Sequence, residues 1–215
     1  LPPDTNNPTL VTQGVTSVDV RVILGSTTPP GRMHRALDGA IERAAARGTS
    51  ADLIDLGTLD LGFANGTPPA DLDDDTAATI AAIENAKAVI FATPIYRGSL
   101  SGSLKNLIDL TPVPALPAKV VGIVAMGASD HHFLGAERHL RDVLTFFGAV
   151  VMPVAVYLNG TDFTDGVPGE RAETVLDQLF TGVAATSAAL DPVDAVAEPL
   201  PLGAKAVKPR AKAAG

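Results

Sequence analysis

The 215-residue sequence has no cysteine, no tryptophan and only two tyrosines, and its basic residues are outnumbered by acidic ones. The lack of cysteine excludes disulfides, cysteine-ligated metal and a thiol nucleophile. The shortage of basic residues leaves a formal charge of −8. That disfavours non-specific nucleic-acid binding, which needs a basic face. Long hydrophobic runs are missing too. The longest, Gly148 to Leu158, is interrupted by Pro153 and falls short of the roughly 20 residues needed to span a bilayer. The first residues are polar and proline-rich rather than charged and then apolar, so no signal peptide is expected. Cytoplasm is the expected compartment, with neither nucleic acid nor membrane as a partner.

What remains is 46% hydrophobic, in short blocks separated by helical patterns, as in a globular α/β protein. Residues 1–17 read as a flexible arm and 18–190 as the domain. Residues 191–215, rich in Pro, Ala and Lys without an apolar stripe, read as a disordered tail. Strands are expected at Val18 to Leu24, Ala51 to Leu56, from Ala88, at Lys119 to Met126 and at Val150 to Leu158. The third should stop at Thr93, because Pro94 cannot donate to a ladder. Gly57 to Ala70 reads as a loop wrapping the sheet edge, and Asp73, Asp74 and Asp75 as a solvated helix start. Helices are expected at Arg32 to Arg47, after Asp75, after a cap at Ser99 or Ser101, at His132 to Phe147 and at Gly169 to Ala189. Alternating strands and helices with right-handed crossovers predict a three-layer α/β sandwich on a five-stranded parallel sheet. The flavodoxin-like order 2-1-3-4-5 puts the switch point between strands one and three, where such folds bind ligands. The loops there are Ser26 to Arg32 and Thr93 to Ser99.

The first of these loops has neither the lysine of a Walker A motif nor the G-x-G-x-x-G fingerprint. It offers Ser26, Thr27 and Thr28 hydroxyls, backbone N–H groups and Arg32 at a helix start, a set that serves a phosphate monoester. A plain strand-to-helix turn with capping hydroxyls reads equally well from this loop alone. The four histidines lack the spacing of a metal site. His131 and His132 follow the fourth strand, His139 lies on a polar helix face, and His34 adds polarity near the first loop.

Read together, Gly25-Ser26 with Arg32, Thr93-Pro94-Ile95-Tyr96-Arg97-Gly98-Ser99, Gly102, Leu104-Lys105, Asp109 and Gly127-Ala128-Ser129 resemble the NADPH-dependent FMN reductase family. The likeness is strongest to reductase components of two-component monooxygenases that supply reduced flavin for sulfonate desulfonation. Tyr157 and Thr161-Asp162-Phe163-Thr164-Asp165 add to it. The resemblance implies FMN as the flavin and NADPH or NADH as co-substrate. It implies Ser26 and Arg32 on the phosphate, and Pro94, Ile95 and Tyr96, following Thr93, along the isoalloxazine and ribityl chain. Arg97, Gly98 and Ser99 would complete that pocket, with Gly127, Ala128 and Ser129 facing the ring. It also implies a homodimer or homotetramer with Lys105 and Asp109 at an interface, and a partner monooxygenase. A carboxylate in a helix's last turn opposes the dipole, so Asp109 is expected to find a partner beyond its own helix. Two departures are Pro30-Gly31, where the family often has serine, and Leu100, where some flavin-transferring members carry tyrosine. They leave open whether FMN is a substrate or a retained group. Hydride transfer between two rings needs positioning rather than a side-chain acid or base, so no catalytic residue is assigned. An FMN-containing quinone or azo reductase, a flavodoxin-type electron carrier and a scaffold without flavin are the rival readings.

Overall fold

The structure, a computed structural model, describes residues 18–27, 30–132 and 135–190. The expected arm at 1–17, the tail at 191–215 and the side chain of Phe133 lie outside these residues. Five segments pair in parallel in the order β2-β1-β3-β4-β5: Val20–Leu24 (β1), Ala51–Asp55 (β2), Ala88–Pro94 (β3), Val120–Met126 (β4) and Val150–Val151 (β5). The sheet is the doubly wound one that the alternating pattern predicts.

Both faces of β1 are buried because its alternate residues serve two different cores. Val20, Val22 and Leu24 pack against α1 (Arg32–Ala46) and α5 (Glu170–Leu190), through residues such as Leu37 and Phe180. Ile23 faces the other layer, made by α2 (Thr76–Asn85), α3 (Gly102–Leu110) and α4 (Gly135–Phe146), with Phe91, Leu104 and Leu140. A strand covered on both sides reads as largely apolar; the exception in β1 is Arg21, which is buried and paired with Asp52 of β2. Gly122 in β4 sets the spacing on the first face. A Cβ there would sit 3.0 Å from Val183 and 3.3 Å from Leu179, so the absent side chain lets α5 close on the sheet.

Several expectations are corrected. β3 includes Pro94, which pairs with Met126. The Ile95 N–H donates to Met126 on the β4 side. Alternation therefore turns the Pro94 nitrogen toward β1, beyond its last pair, Leu24↔Ala92, where a missing donor costs no ladder bond. The fifth strand is not continuous from Val150 to Leu158. It breaks at Pro153 into β5 and β6 (Val156–Leu158), both paired to β4. An unexpected hairpin follows, β7 (Phe163–Thr164) against β8 (Val167–Pro168), turned by Asp165 and Gly166 at φ 50° and 76°.

The segment after β2 is not all loop, having 3-10 turns at Leu56–Thr58 and Pro69–Asp71, and it is tied to α3. Asn106 accepts from the Ala64 N–H at 2.9 Å and donates to the Gly62 carbonyl at 2.8 Å. Asp74 and Asp75 do more than meet solvent. Asp74 accepts from the Gly62 and Thr76 N–H groups, and Asp75 from that of Asp60 at 3.0 Å. Asp109 meets Lys105 of its own helix, one turn back, at 2.6 Å. The partner that Asp109 finds among the described residues is thus on its own helix. α4 starts at Gly135, preceded by a separate 3-10 turn at Asp130–His132.

Candidate functional site

The carboxyl ends of β1 and β3 are joined by polar contacts into one unit. The Gly25 N–H donates to Ala92 at 2.7 Å, one residue past the end of β1. The Ser101 hydroxyl donates to the Gly25 carbonyl and accepts from the Leu104 N–H at 3.2 Å, so one side chain caps α3 and ties it to the first loop. Ser103 donates to the same carbonyl at 3.1 Å. Thr93 is fully buried; its hydroxyl accepts from the Ser101 N–H at 2.9 Å and donates to the Pro94 carbonyl at 2.9 Å. A Cβ on Gly25 would stand 2.6 Å from Leu104. Only glycine lets the loops approach this closely.

The first loop rests on the turn after β2, where a Cβ at Gly57 would lie 2.9 Å from the Ser26 carbonyl oxygen. α1 then begins without a side-chain cap on Gly31, and its first turn holds no acidic residue. Arg32, His34 and Arg35 stand there instead. Cations oppose the dipole at this end, and uncapped amides lack partners within the helix. Both features suit a bound anion. Among the described residues Arg32 has no carboxylate partner; its guanidinium lies 5.6 Å from the centroid of the Phe163 ring. His34 sits between Asp38 at 2.8 Å and Asp55 at 3.4 Å.

The loop after β3 makes a tight turn. Tyr96 and Ser99 exchange backbone hydrogen bonds of 3.0 and 3.1 Å, and Arg97 and Gly98 between them have φ of 53° and 75°. Two successive left-handed residues define a type I′ turn. It leaves Tyr96 about half exposed on the cleft rim. Ile95 points away from that rim and joins Ala125, Ala136 and Tyr157. The turn leans on α4: the Ser99 hydroxyl is 2.9 Å from His139 Nδ1, and a Cβ on Gly135 would be 2.8 Å from the Gly98 carbonyl oxygen.

The loop after β4 is held from below by β6. The Gly127 N–H donates to Leu158 at 3.0 Å, and the Tyr157 hydroxyl donates to the Ser129 carbonyl. Burial, with the nearby Asp130 and Asp162 carboxylates, pushes the Tyr157 phenol above its ordinary range. It stays a donor at neutral pH. Asn159 reaches Asp130 Oδ1 at 2.5 Å, and His132 Nδ1 lies 3.3 Å from the Ser129 hydroxyl.

Ser26, Arg32, Pro94 and Tyr96 therefore line one cleft, of about 170 Å³. Arg97 and Gly98 form the exposed tip beside it, and Gly127, Ala128 and Ser129 lie on the next loop. Thr93 and Ile95 turn their side chains into the protein, and Ser99 meets His139 of α4 at the surface. The sequence reading missed Leu24, Met33, His34, Asp55 and Met126 as lining residues. Strand-end positions such as Leu24, Asp55 and Met126 follow from the parallel register, whereas the bracing role of Ser101 carried no signal beyond capping. Among the described residues no group of three or more His, Asp or Glu could hold a metal ion, and no helix is long and apolar enough to cross a membrane.

An NAD(P)H-dependent FAD/FMN reductase of Geobacillus thermodenitrificans is 36% identical over 113 residues, 53% of this chain. The chain thus spans only 61% of that relative's length. The NADH-dependent FMN reductase SfnF of Pseudomonas putida is 31% identical over 173 residues, 75% of this chain and 91% of the relative. The crystal structure of an NADH:FMN oxidoreductase in its apo form superposes with a TM-score of 0.67 at 24% identity, covering 79% of this chain and 89% of that one. At that identity the likeness speaks for the fold. Residues 18–163, which hold all three loops of the cleft region, match the family model described as NADPH-dependent FMN reductase, and the chain belongs to that family.

Proposed function

We propose that this protein is an NAD(P)H-dependent FMN reductase. The observation that carries the reading is the first turn of α1, which brings uncapped amides, Arg32 and His34 to the cleft and holds no acid of its own; Asp55, from the end of β2, also lines the cleft and faces His34 at 3.4 Å. That set fits a phosphate monoester. The apolar walls given by Leu24, Pro94 and Met126, with Tyr96 on the rim, fit the ribityl chain and ring of a flavin. Ser26 and Arg32 would hold the phosphate. Pro94 and Tyr96 would line the ribityl chain and ring, while Thr93 and Ile95 set their backbone. Arg97, Gly98 and Ser99 shape the turn beside the ring, and Gly127, Ala128 and Ser129 approach it from the next loop.

When bound, FMN supplies the hydride acceptor for NADH or NADPH. The chain binds and orients. The Ser101–Gly25 tie fixes the spacing of the first two loops, and Tyr157 fixes the third through the Ser129 carbonyl. Delivery of reduced FMN to a partner monooxygenase belongs to the same reading and is supported by the resemblance at Tyr157 and 161–165. So does assembly as a homodimer or homotetramer, which light scattering of the purified chain measures.

Arg32→Ala tests the site. Loss of a charge-assisted hydrogen bond costs about 1.5–3 kcal/mol, or roughly one to two decades in FMN affinity. Riboflavin, with the same ring and no phosphate, should bind the variant and the wild type alike. Equal weakening for both flavins would make Arg32 structural, and an unchanged FMN affinity would place the phosphate elsewhere.

A further inference from the structure

We infer that Phe163 is a positioning residue for Arg32, and that the β7–β8 hairpin thereby sets the affinity of the cleft for the phosphate group of FMN. The inference rests on the phosphate reading of the cleft given above. Arg32 occupies the first position of α1, where the helix dipole disfavours a cation. Among the described residues no carboxylate holds it there. Its guanidinium instead lies over the Phe163 ring, 5.6 Å from the centroid, within the range of a cation–π contact. A Cβ on Gly160 would meet Arg32 Nη1 at 3.3 Å, so the same segment also leaves room beside the guanidinium. Confined between ring and turn, the guanidinium stays at the N-terminus of α1 rather than sweeping into solvent.

The ring is placed independently of Arg32. Asn159 and Asp162 form a reciprocal capping box immediately before Phe163. Asp162 is paired with Arg171 at 2.5 Å, and its carbonyl accepts from the Gly169 N–H at 2.8 Å. Beyond the ring, Asp165 and Gly166 close a type I′ turn, whose Gly166 carbonyl accepts from Arg35 Nε at 3.0 Å. A Cβ on Gly166 would lie 2.4 Å from Arg35 Nη2, so this turn seats against the first turn of α1. Phe163 is thus a fixed surface on which a mobile side chain is held. Holding a long cation in one place before the anion arrives lowers the ordering cost of binding.

The experiment is a double-mutant cycle read by flavin titration. Wild type, Phe163→Leu, Arg32→Ala and the double variant are titrated with FMN and with riboflavin at one salt concentration, and thermal melts verify folding. Phe163→Leu should weaken FMN about two- to fivefold and leave riboflavin unchanged. On the Arg32→Ala background it should add nothing, and Phe163→Tyr, which keeps the ring face, should restore wild-type FMN affinity. Equal weakening of both flavins by Phe163→Leu, or its full effect on the Arg32→Ala background, would overturn the inference. So would an unchanged FMN affinity. If Arg32→Ala still discriminates between the flavins as expected, the phosphate reading survives that failure; if wild type binds FMN and riboflavin equally, both fall.

Discussion

The Ser101 hydroxyl donates to the Gly25 carbonyl, joining the loop after β3 to the loop after β1 through one buried side chain. The same oxygen accepts the Leu104 N–H at 3.2 Å and so begins α3. Ser101→Ala removes a cap and leaves the Gly25 carbonyl to Ser103 alone. The expected loss is about 1–2 kcal/mol of stability, read as a lower urea midpoint. Flavin affinity should fall with it, for FMN and riboflavin alike, because both loops shift. A variant with unchanged stability would show that the tie is dispensable.

Gly127 and Tyr157 form a second coupled pair. A Cβ at Gly127 would stand 2.2 Å from Tyr157 Oη and 3.1 Å from Cζ, so Gly127→Ala should destabilise by about 1–3 kcal/mol. Tyr157→Phe alone loses the bond to Ser129 and should cost about 1 kcal/mol. Together they should cost less than the sum, since phenylalanine removes the atom that clashes hardest. Chemical denaturation of the four proteins measures the coupling, and strict additivity would refute it.

Acid should remove a contribution centred on Asp19. Its carboxylate accepts from Lys87 Nζ at 2.9 Å and from the N–H and hydroxyl of Ser50 at 2.9 and 2.8 Å. These contacts, Lys87 foremost, draw it down to about 2. A carboxyl depressed in the folded state stabilises above its unfolded value near 4 and loses that contribution as pH falls toward 2. Asp19→Asn should cost ~1 kcal/mol at neutral pH, after allowance for solvent screening. The gap from wild type should close over that acid range. A gap independent of pH would assign the effect to packing.

The sheet is legible in the sequence because β3 and β4, buried on both faces, read as continuous apolar runs and β1 as a segment that alternates and then runs apolar, each followed by a helical stripe. Crossover handedness leaves few topologies, and the order 2-1-3-4-5 is the one among them whose switch point lies between strands one and three. The break at Pro153 was visible as a residue but not as two strands, since apolar content runs on through Val154 and Val156. Pro94 reads as lying outside β3 because the rule that bars proline from a ladder takes no account of which neighbour its nitrogen faces. The β7–β8 hairpin carried the Asp-Gly signal of a type I′ turn at Asp165-Gly166, yet its strands of two residues each are too short for periodicity to register. Ser26, Arg32, Pro94 and Tyr96, which the sequence singles out, line the cleft. Asp55 and Met126 are not singled out, because they arrive from other strands through the register. Thr93 at the end of β3 and Ile95 just beyond it sit beside the cleft, but alternation along the chain turns their side chains into the protein.

The most direct measurement is an anaerobic absorbance titration of the purified chain with FMN, followed by NADH and separately by NADPH. The account predicts that at least one nucleotide bleaches the oxidised-flavin band near stoichiometrically, and that added free FMN turns over without any other acceptor. Bound FMN that neither nucleotide bleaches would contradict it and point to an electron carrier on the same fold.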